Sequence, residues 1–115
     1  MNRRKKWLIA GISAVLALVL VFGGLLAAVS HYLLGPEGHY FDSGGVRVHY
    51  TDEGRGEPVI LVHGFANPAN LQWRRTGRIG ALSKDYRVIA LDNRGHGRSG
   101  KPHDPEQYGT QMAED

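Results

Sequence analysis

An α/β fold carried behind one membrane-crossing helix is predicted by three features of this sequence. The first is a charge-free apolar run near the N-terminus. The second is a pair of short, continuously apolar, β-branched segments, Val59–Val62 and Val88–Leu91. The third is the helix-like stretch between them, which makes a strand, helix, strand unit of the kind that builds a parallel sheet. The 115 residues leave room for at most one domain beside the helix.

Charge is distributed unevenly. Residues 1–34 carry Arg3, Arg4, Lys5 and Lys6 and no acid, whereas the remaining 81 residues carry 10 basic and 11 acidic side chains. The net charge of +3 therefore comes from one terminal cluster. A nucleic-acid partner would require basic residues concentrated on the folded part, so that class is excluded. The absence of cysteine removes a disulfide scaffold, a thiolate zinc site and a cysteine nucleophile.

From Trp7 to Ser30 run 24 residues without Asp, Glu, Lys, Arg or His. As a helix this stretch would measure about 36 Å, enough to cross a hydrocarbon core of about 30 Å with some tilt. Residues 1–6 form a basic flank, 7–32 the expected transmembrane helix with Trp7 and Tyr32 as interfacial anchors, and 33–40 a juxtamembrane linker around Gly35-Pro36-Glu37-Gly38. The basic flank implies a single pass with a cytoplasmic N-terminus and the rest of the chain outside. A cleaved signal peptide is the competing reading, since Ala28-Val29-Ser30 offers small residues for cleavage. The apolar run exceeds the ~7–15 residues of a signal core, which favours the anchor and makes the lipid bilayer a partner. Gly23, Gly24, Ala27 and Ala28 fit small-residue spacing, as is common in membrane helices.

Beyond the linker, Tyr40-Phe41 opens a short strand that ends in the turn cluster Asp42-Ser43-Gly44-Gly45. Val46, Val48 and Tyr50 alternate with Arg47, His49 and Thr51, the pattern of a half-buried strand. Val59–Val62 is expected to be buried on both faces, as parallel strands are. Leu71 to Leu82 reads as a helix weakened by Gly77 and Gly80, with Arg74, Arg75 and Arg78 on a solvated face. Tyr108 to Asp115 reads as the start of another helix.

Two phosphate-binding patterns fail on context. Gly95, Gly97 and Gly100 satisfy G-x-G-x-x-G, and Gly95, Gly100 and Lys101 satisfy the opening of a P-loop. Both need a helix to begin at the glycines. Pro102 stands where the P-loop needs a hydroxyl, and Pro105 interrupts again. The six histidines offer no metal-ligand spacing, and no metal or organic cofactor is expected.

His63-Gly64-Phe65 follows one buried strand, and Asp92-Asn93-Arg94-Gly95-His96-Gly97-Arg98-Ser99 follows the next. Together with Val46–Tyr50 and Glu57–Val62, this pairing resembles the N-terminal part of the α/β-hydrolase fold family. The resemblance covers roughly residues 41–115, which would then be a truncated hydrolase domain with an incomplete sheet. It implies that the backbone N–H of Phe65 is one oxyanion-hole donor, that Gly64 allows a tight turn after His63, and that the second donor follows the nucleophile. It gives Asp92, Arg94, Gly95, His96, Gly97 and Ser99 an architectural role in the loop beside the site. The bland reading makes His63-Gly64 a plain turn with Phe65 plugging a core.

The family's nucleophile elbow, G-x-S-x-G, is absent: none of Ser13, Ser30, Ser43, Ser83 and Ser99 sits in that frame. The resemblance places the nucleophile, acid and histidine after the stretch beginning near Tyr108, beyond residue 115. The expected activity is that of a longer parent acting on a small-molecule ester or related acyl substrate through a serine. Relatives that use an aspartate nucleophile on epoxides or halides stay open, although Ala66 stands where epoxide hydrolases typically carry proline. The segment alone is expected to leave an apolar strand edge open, to fold poorly and to be catalytically silent. The alternatives are a non-catalytic membrane-anchored binding protein and, behind it, a nucleotide binder through Gly95–Lys101.

Overall fold

The computed structural model describes residues 1–115 as two compact units, Met1–Tyr32 and Leu33–Asp115. Helix α1 spans Arg3–Leu34 and none of its side chains is buried. Its 32 residues would extend about 48 Å. By length and composition it is the one helix of the chain able to cross a membrane.

The second unit is built on a mixed sheet of β1 (His39–Ser43), β2 (Val46–Gly54), β3 (Pro58–Val62) and β4 (Arg87–Leu91), in the spatial order β1-β2-β4-β3. The first two pairings are antiparallel, and β3 runs parallel to β4 with Val59 opposite Val88 and Val62 opposite Leu91. A parallel neighbour needs a crossover, which the chain makes through one π-helical turn, Asn70–Arg74, and the short helix α2, Arg78–Leu82. Their apolar side chains cover one sheet face. Ala69, Ile79, Val88 and Ala90 form the core there, with Leu61, Trp73 and Leu82 packed against it.

Four expectations are corrected. The helix over 71–82 is broken in two, because Gly77 adopts a left-handed conformation (φ 76°) that no right-handed helix can continue through. Arg74 is not part of a free solvated face: its guanidinium pairs with the carboxylate of Glu53 on β2. The helix expected from Tyr108 is instead two 3-10 turns, Pro105–Gln107 and Gly109–Ala113. Proline opens the first turn, and Tyr108, with an extended backbone (φ −115°, ψ −174°), separates the second from it.

The fourth correction concerns β3. Ile60 and Val62 are 64% and 56% exposed, because they point to the sheet face opposite the helical layer. That face is apolar and carries no second layer. Phe41, Tyr50, Ile60, Val62, Ile89 and Leu91 line a concavity of about 580 Å³ over it. The alternation of β2 also hides a surprise: His49, expected outward, is buried because β2 is an inner strand and the loop after β4 folds over it.

Candidate functional site

In open α/β sheets, ligands gather outside the carboxyl ends of the parallel strands. Here those ends are Val62 and Leu91, and the segments leaving them are His63–Ala66 and Asp92–Gly100. The two loops are tied together by side chains of each.

His63 is 4% exposed. Its Nε2 accepts the backbone N–H of Asn93 at 2.9 Å, and the Asn93 amide group donates to the His63 carbonyl at 3.0 Å. A backbone N–H is only a donor, so Nε2 carries no hydrogen and the proton sits on Nδ1. That Nδ1–H donates to the Gly64 carbonyl at 2.7 Å. Burial pushes the His63 pKa below the ordinary imidazole value, against the opposing pull of the Gly64 carbonyl, and the neighbouring His96 adds to the lowering.

Gly64 N–H donates to Gln72 Oε1 at 2.8 Å. The Phe65 N–H, by contrast, makes no hydrogen bond within the chain. Its side chain is 93% exposed and therefore plugs no core. The left-handed residue of the turn is Ala66, at φ 65°, the one non-glycine residue with a positive φ. A Cβ on Gly64 would meet nothing nearer than Gln72 Oε1 at 3.7 Å, so glycine there is not required by crowding from the chain itself.

The second loop is held by Asp92, which is 1% exposed. One carboxylate oxygen accepts the Ala69 N–H at 2.9 Å, and the other accepts the Arg98 N–H at 3.1 Å and His49 Nδ1–H at 2.9 Å. Burial acts to raise its pKa. The three hydrogen bonds outweigh that effect and hold the carboxyl below the usual range. Ser99 Oγ donates to the Asp92 carbonyl at 2.5 Å and accepts the His49 N–H at 2.8 Å. Gly97 fits here for steric reasons, since a Cβ would lie 2.3 Å from the Asp92 carboxyl group. At Gly95 it would lie 2.9 Å from the Tyr108 ring.

Arg94 is buried and donates to the Ser43 carbonyl at 3.0 Å, the Gln107 carbonyl at 2.8 Å and the Asp115 carboxylate at 2.6 Å. His96 sets its ring edge against His63, with centroids 5.0 Å apart, and lies 6.3 Å from the Phe65 ring. Lys101 Nζ donates to the carbonyls of Gly97 and Ser99 at 2.7 and 3.0 Å. With no helix starting at these glycines, the phosphate-cradle geometry is not formed.

Sequence reasoning named His63, Gly64 and Phe65 but missed Gln72, Asn93 and His49. Asn93 lies inside the Asp92–Ser99 segment, where nothing local gives it a role. His49 could have been found by asking which residue balances a buried Asp92. Ser99, the serine nearest the two loops, lacks the setting of a nucleophile: it is buried and both hydrogen bonds of its hydroxyl go to backbone groups. The concavity over the bare sheet face is mostly apolar, and Arg87, Asp115 and Asn93 of the loop after β4 also line it.

A family profile described as the alpha/beta hydrolase fold matches residues 57–115. The chain is 40% identical over 63 residues to the 2-hydroxy-6-oxo-6-(2'-aminophenyl)hexa-2,4-dienoic acid hydrolase of Metapseudomonas resinovorans, which covers 55% of this chain and 22% of that protein. It is 42% identical over 65 residues to an epoxide hydrolase of Caballeronia sordidicola, covering 56% and 19%. Among solved structures, an epoxide hydrolase from Vigna radiata superposes with a TM-score of 0.61 at 31% identity, over 69% of this chain and 25% of that one. A meta-cleavage product hydrolase from Pseudomonas fluorescens IP01 gives 0.52 at 43% identity, over 64% and 26%. The chain thus spans about a fifth of the length of these curated relatives. By its sheet, its paired loops and this profile, it belongs to the alpha/beta hydrolase fold family.

Proposed function

We propose that residues 41–115 supply the oxyanion side of a hydrolase active site, carried on a single-pass membrane anchor formed by α1. The observation that carries this reading is the Phe65 N–H. It has no acceptor in the chain, and it lies in a turn leaving a parallel strand and pinned by His63. In acyl transfer, negative charge develops on the carbonyl oxygen, and a fixed N–H in a water-poor site stabilises it. The second donor and a serine nucleophile come from a nucleophile elbow outside residues 1–115. The substrate class is a small-molecule ester or related acyl compound, in keeping with relatives named as a hydroxy-oxo-dienoic acid hydrolase and a meta-cleavage product hydrolase.

A second reading, an aspartate nucleophile acting on an epoxide or haloalkane, is favoured by the relatives named epoxide hydrolase and haloalkane dehalogenase. Ala66 after His63-Gly64-Phe65 counts against the epoxide version, because the proline typical of those enzymes is absent.

The test is labelling of the full-length polypeptide with a fluorophosphonate, which reacts with activated serines. A single adduct on a serine outside residues 1–115 supports the acyl-transfer reading. No adduct, with turnover of an epoxide or haloalkane, favours the carboxylate nucleophile. No adduct and no turnover favours a non-catalytic binding role. For the anchor, the basic cluster Arg3–Lys6 ahead of the apolar helix supports a cytoplasmic N-terminus. Resistance to alkaline extraction, with residues 41–115 open to protease from the outer side, is the expected result; release into the soluble fraction would remove the anchor.

A further inference from the structure

The Gly64 carbonyl and the Phe65 N–H belong to one peptide group. The bond is trans, so the two point to opposite sides of the chain. Whatever holds the carbonyl therefore aims the N–H. The holder is His63, whose Nδ1–H donates to Gly64 O while its Nε2 is anchored on Asn93 N–H. The side chain thus acts as a brace between the end of β3 and the loop after β4. It can do so in one protonation state only. A proton on Nε2 would bring two N–H groups face to face across 2.9 Å, and the ring would have to leave Asn93.

We propose that His63 is a positioning residue whose neutral Nδ1–H tautomer aims the Phe65 N–H, so that protonation of His63 releases the turn. The inference rests on the oxyanion role proposed above for its functional meaning, while the brace itself is a property of the fold. The titratable groups facing the ring are His96, edge-on at 5.0 Å, and Asp92 at the end of β4. His96 opposes a proton on His63, and Asp92 favours one. Burial favours the neutral ring, which keeps the brace intact at neutral pH.

The experiment uses the full-length polypeptide in detergent micelles, with ring-labelled histidine and amide-labelled phenylalanine read by NMR. At neutral pH His63 should show a single Nδ1–H tautomer. As pH falls, the Phe65 amide signal should move with the same midpoint as the His63 ring. His63→Asn retains a donor for Gly64 O but cannot titrate, so the Phe65 signal should stay fixed across that window. His63→Phe keeps a ring without either nitrogen and should shift the Phe65 signal at every pH. An Nε2–H tautomer at neutral pH, a Phe65 signal indifferent to the His63 titration, or an undiminished titration in His63→Asn would each overturn the proposal. The wild-type tautomer alone decides the first point, even if a variant fails to fold. A missing fluorophosphonate adduct with the expected tautomer and coupling would overturn the acyl-transfer reading alone.

Discussion

The carboxylate of Asp92 and the ring of His49 meet at 2.9 Å, and both are almost completely withdrawn from solvent. This contact joins the end of β4 to β2, while the same carboxylate gathers the N–H groups of Ala69 and Arg98. Asp92→Ala would strand the buried Ala69 N–H, the part-buried Arg98 N–H and a buried imidazole. The expected loss is about 3–5 kcal/mol of unfolding free energy, since each buried donor left without an acceptor costs about 1–3 kcal/mol. Denaturant titration of variant and wild type checks it.

Gly97→Ala should be nearly as damaging as losing the carboxylate itself. Its Cβ would overlap the Asp92 carboxyl group at 2.3 Å, and its φ of 50° disfavours any side chain. Gly44→Ala serves as the comparison: its φ is 59°, but no atom lies within 4 Å of the added Cβ. It should cost about 1–2 kcal/mol, the backbone contribution alone. Thermal midpoints of the two variants measured side by side separate strain from steric overlap.

Acid should weaken the fold in two stages. His63 takes a proton less readily when folded, so the unfolded chain binds more protons just below its ordinary pKa of about 6.5. Its contribution is present above that pH and is lost as pH falls toward the depressed folded value. Asp92, also depressed, contributes above about 3.9 and loses that contribution as pH falls through its folded value. Unfolding free energy measured from pH 8 to 3 should therefore fall below about 6.5 and again below about 4. In His63→Asn the first step should be missing.

If the Phe65 N–H is an oxyanion donor, the side chain and the amide should separate cleanly. Phe65→Ala removes a ring that is 93% exposed and keeps the donor, so kcat should change by no more than a few-fold. Phe65→Pro removes the N–H, and kcat should fall by about 10²–10³ with KM little altered. Steady-state kinetics on the full-length polypeptide, with unfolding midpoints as a control, distinguish the two.

Much of this arrangement was legible in the sequence because it rests on patterns of burial. The run Val59–Val62 and the run Val88–Leu91 became neighbouring parallel strands, and the turns following them met. What stayed hidden depends on tertiary context. Nothing local in Leu71–Leu82 reveals that Gly77 would turn left-handed rather than be tolerated within one helix. Continuous apolarity in β3 signals two faces able to be buried, not two faces that are covered, and Ile60 and Val62 lack a covering layer. His49 looked like the polar half of an alternating strand because its partners lie 43 and 50 residues away. The brace made by His63 needed the position of Asn93, which only the sheet register supplies.

The bare sheet face carries its own expected outcome. Residues 33–115, produced without the apolar helix α1, should bind a hydrophobic dye and self-associate through the exposed β3 edge. Ile60→Lys should reduce both effects, as read by dye fluorescence and light scattering, without restoring any hydrolysis.

The central proposal is that Phe65 and its turn serve a hydrolase active site whose nucleophile lies outside residues 1–115. The intact mass of the native protein, whichever cell fraction holds it, tests that most directly. The expected mass is several-fold above the 12.6 kDa of residues 1–115. A native mass of 12.6 kDa would contradict it, because a chain with Phe65 and no nucleophile could not perform the proposed chemistry.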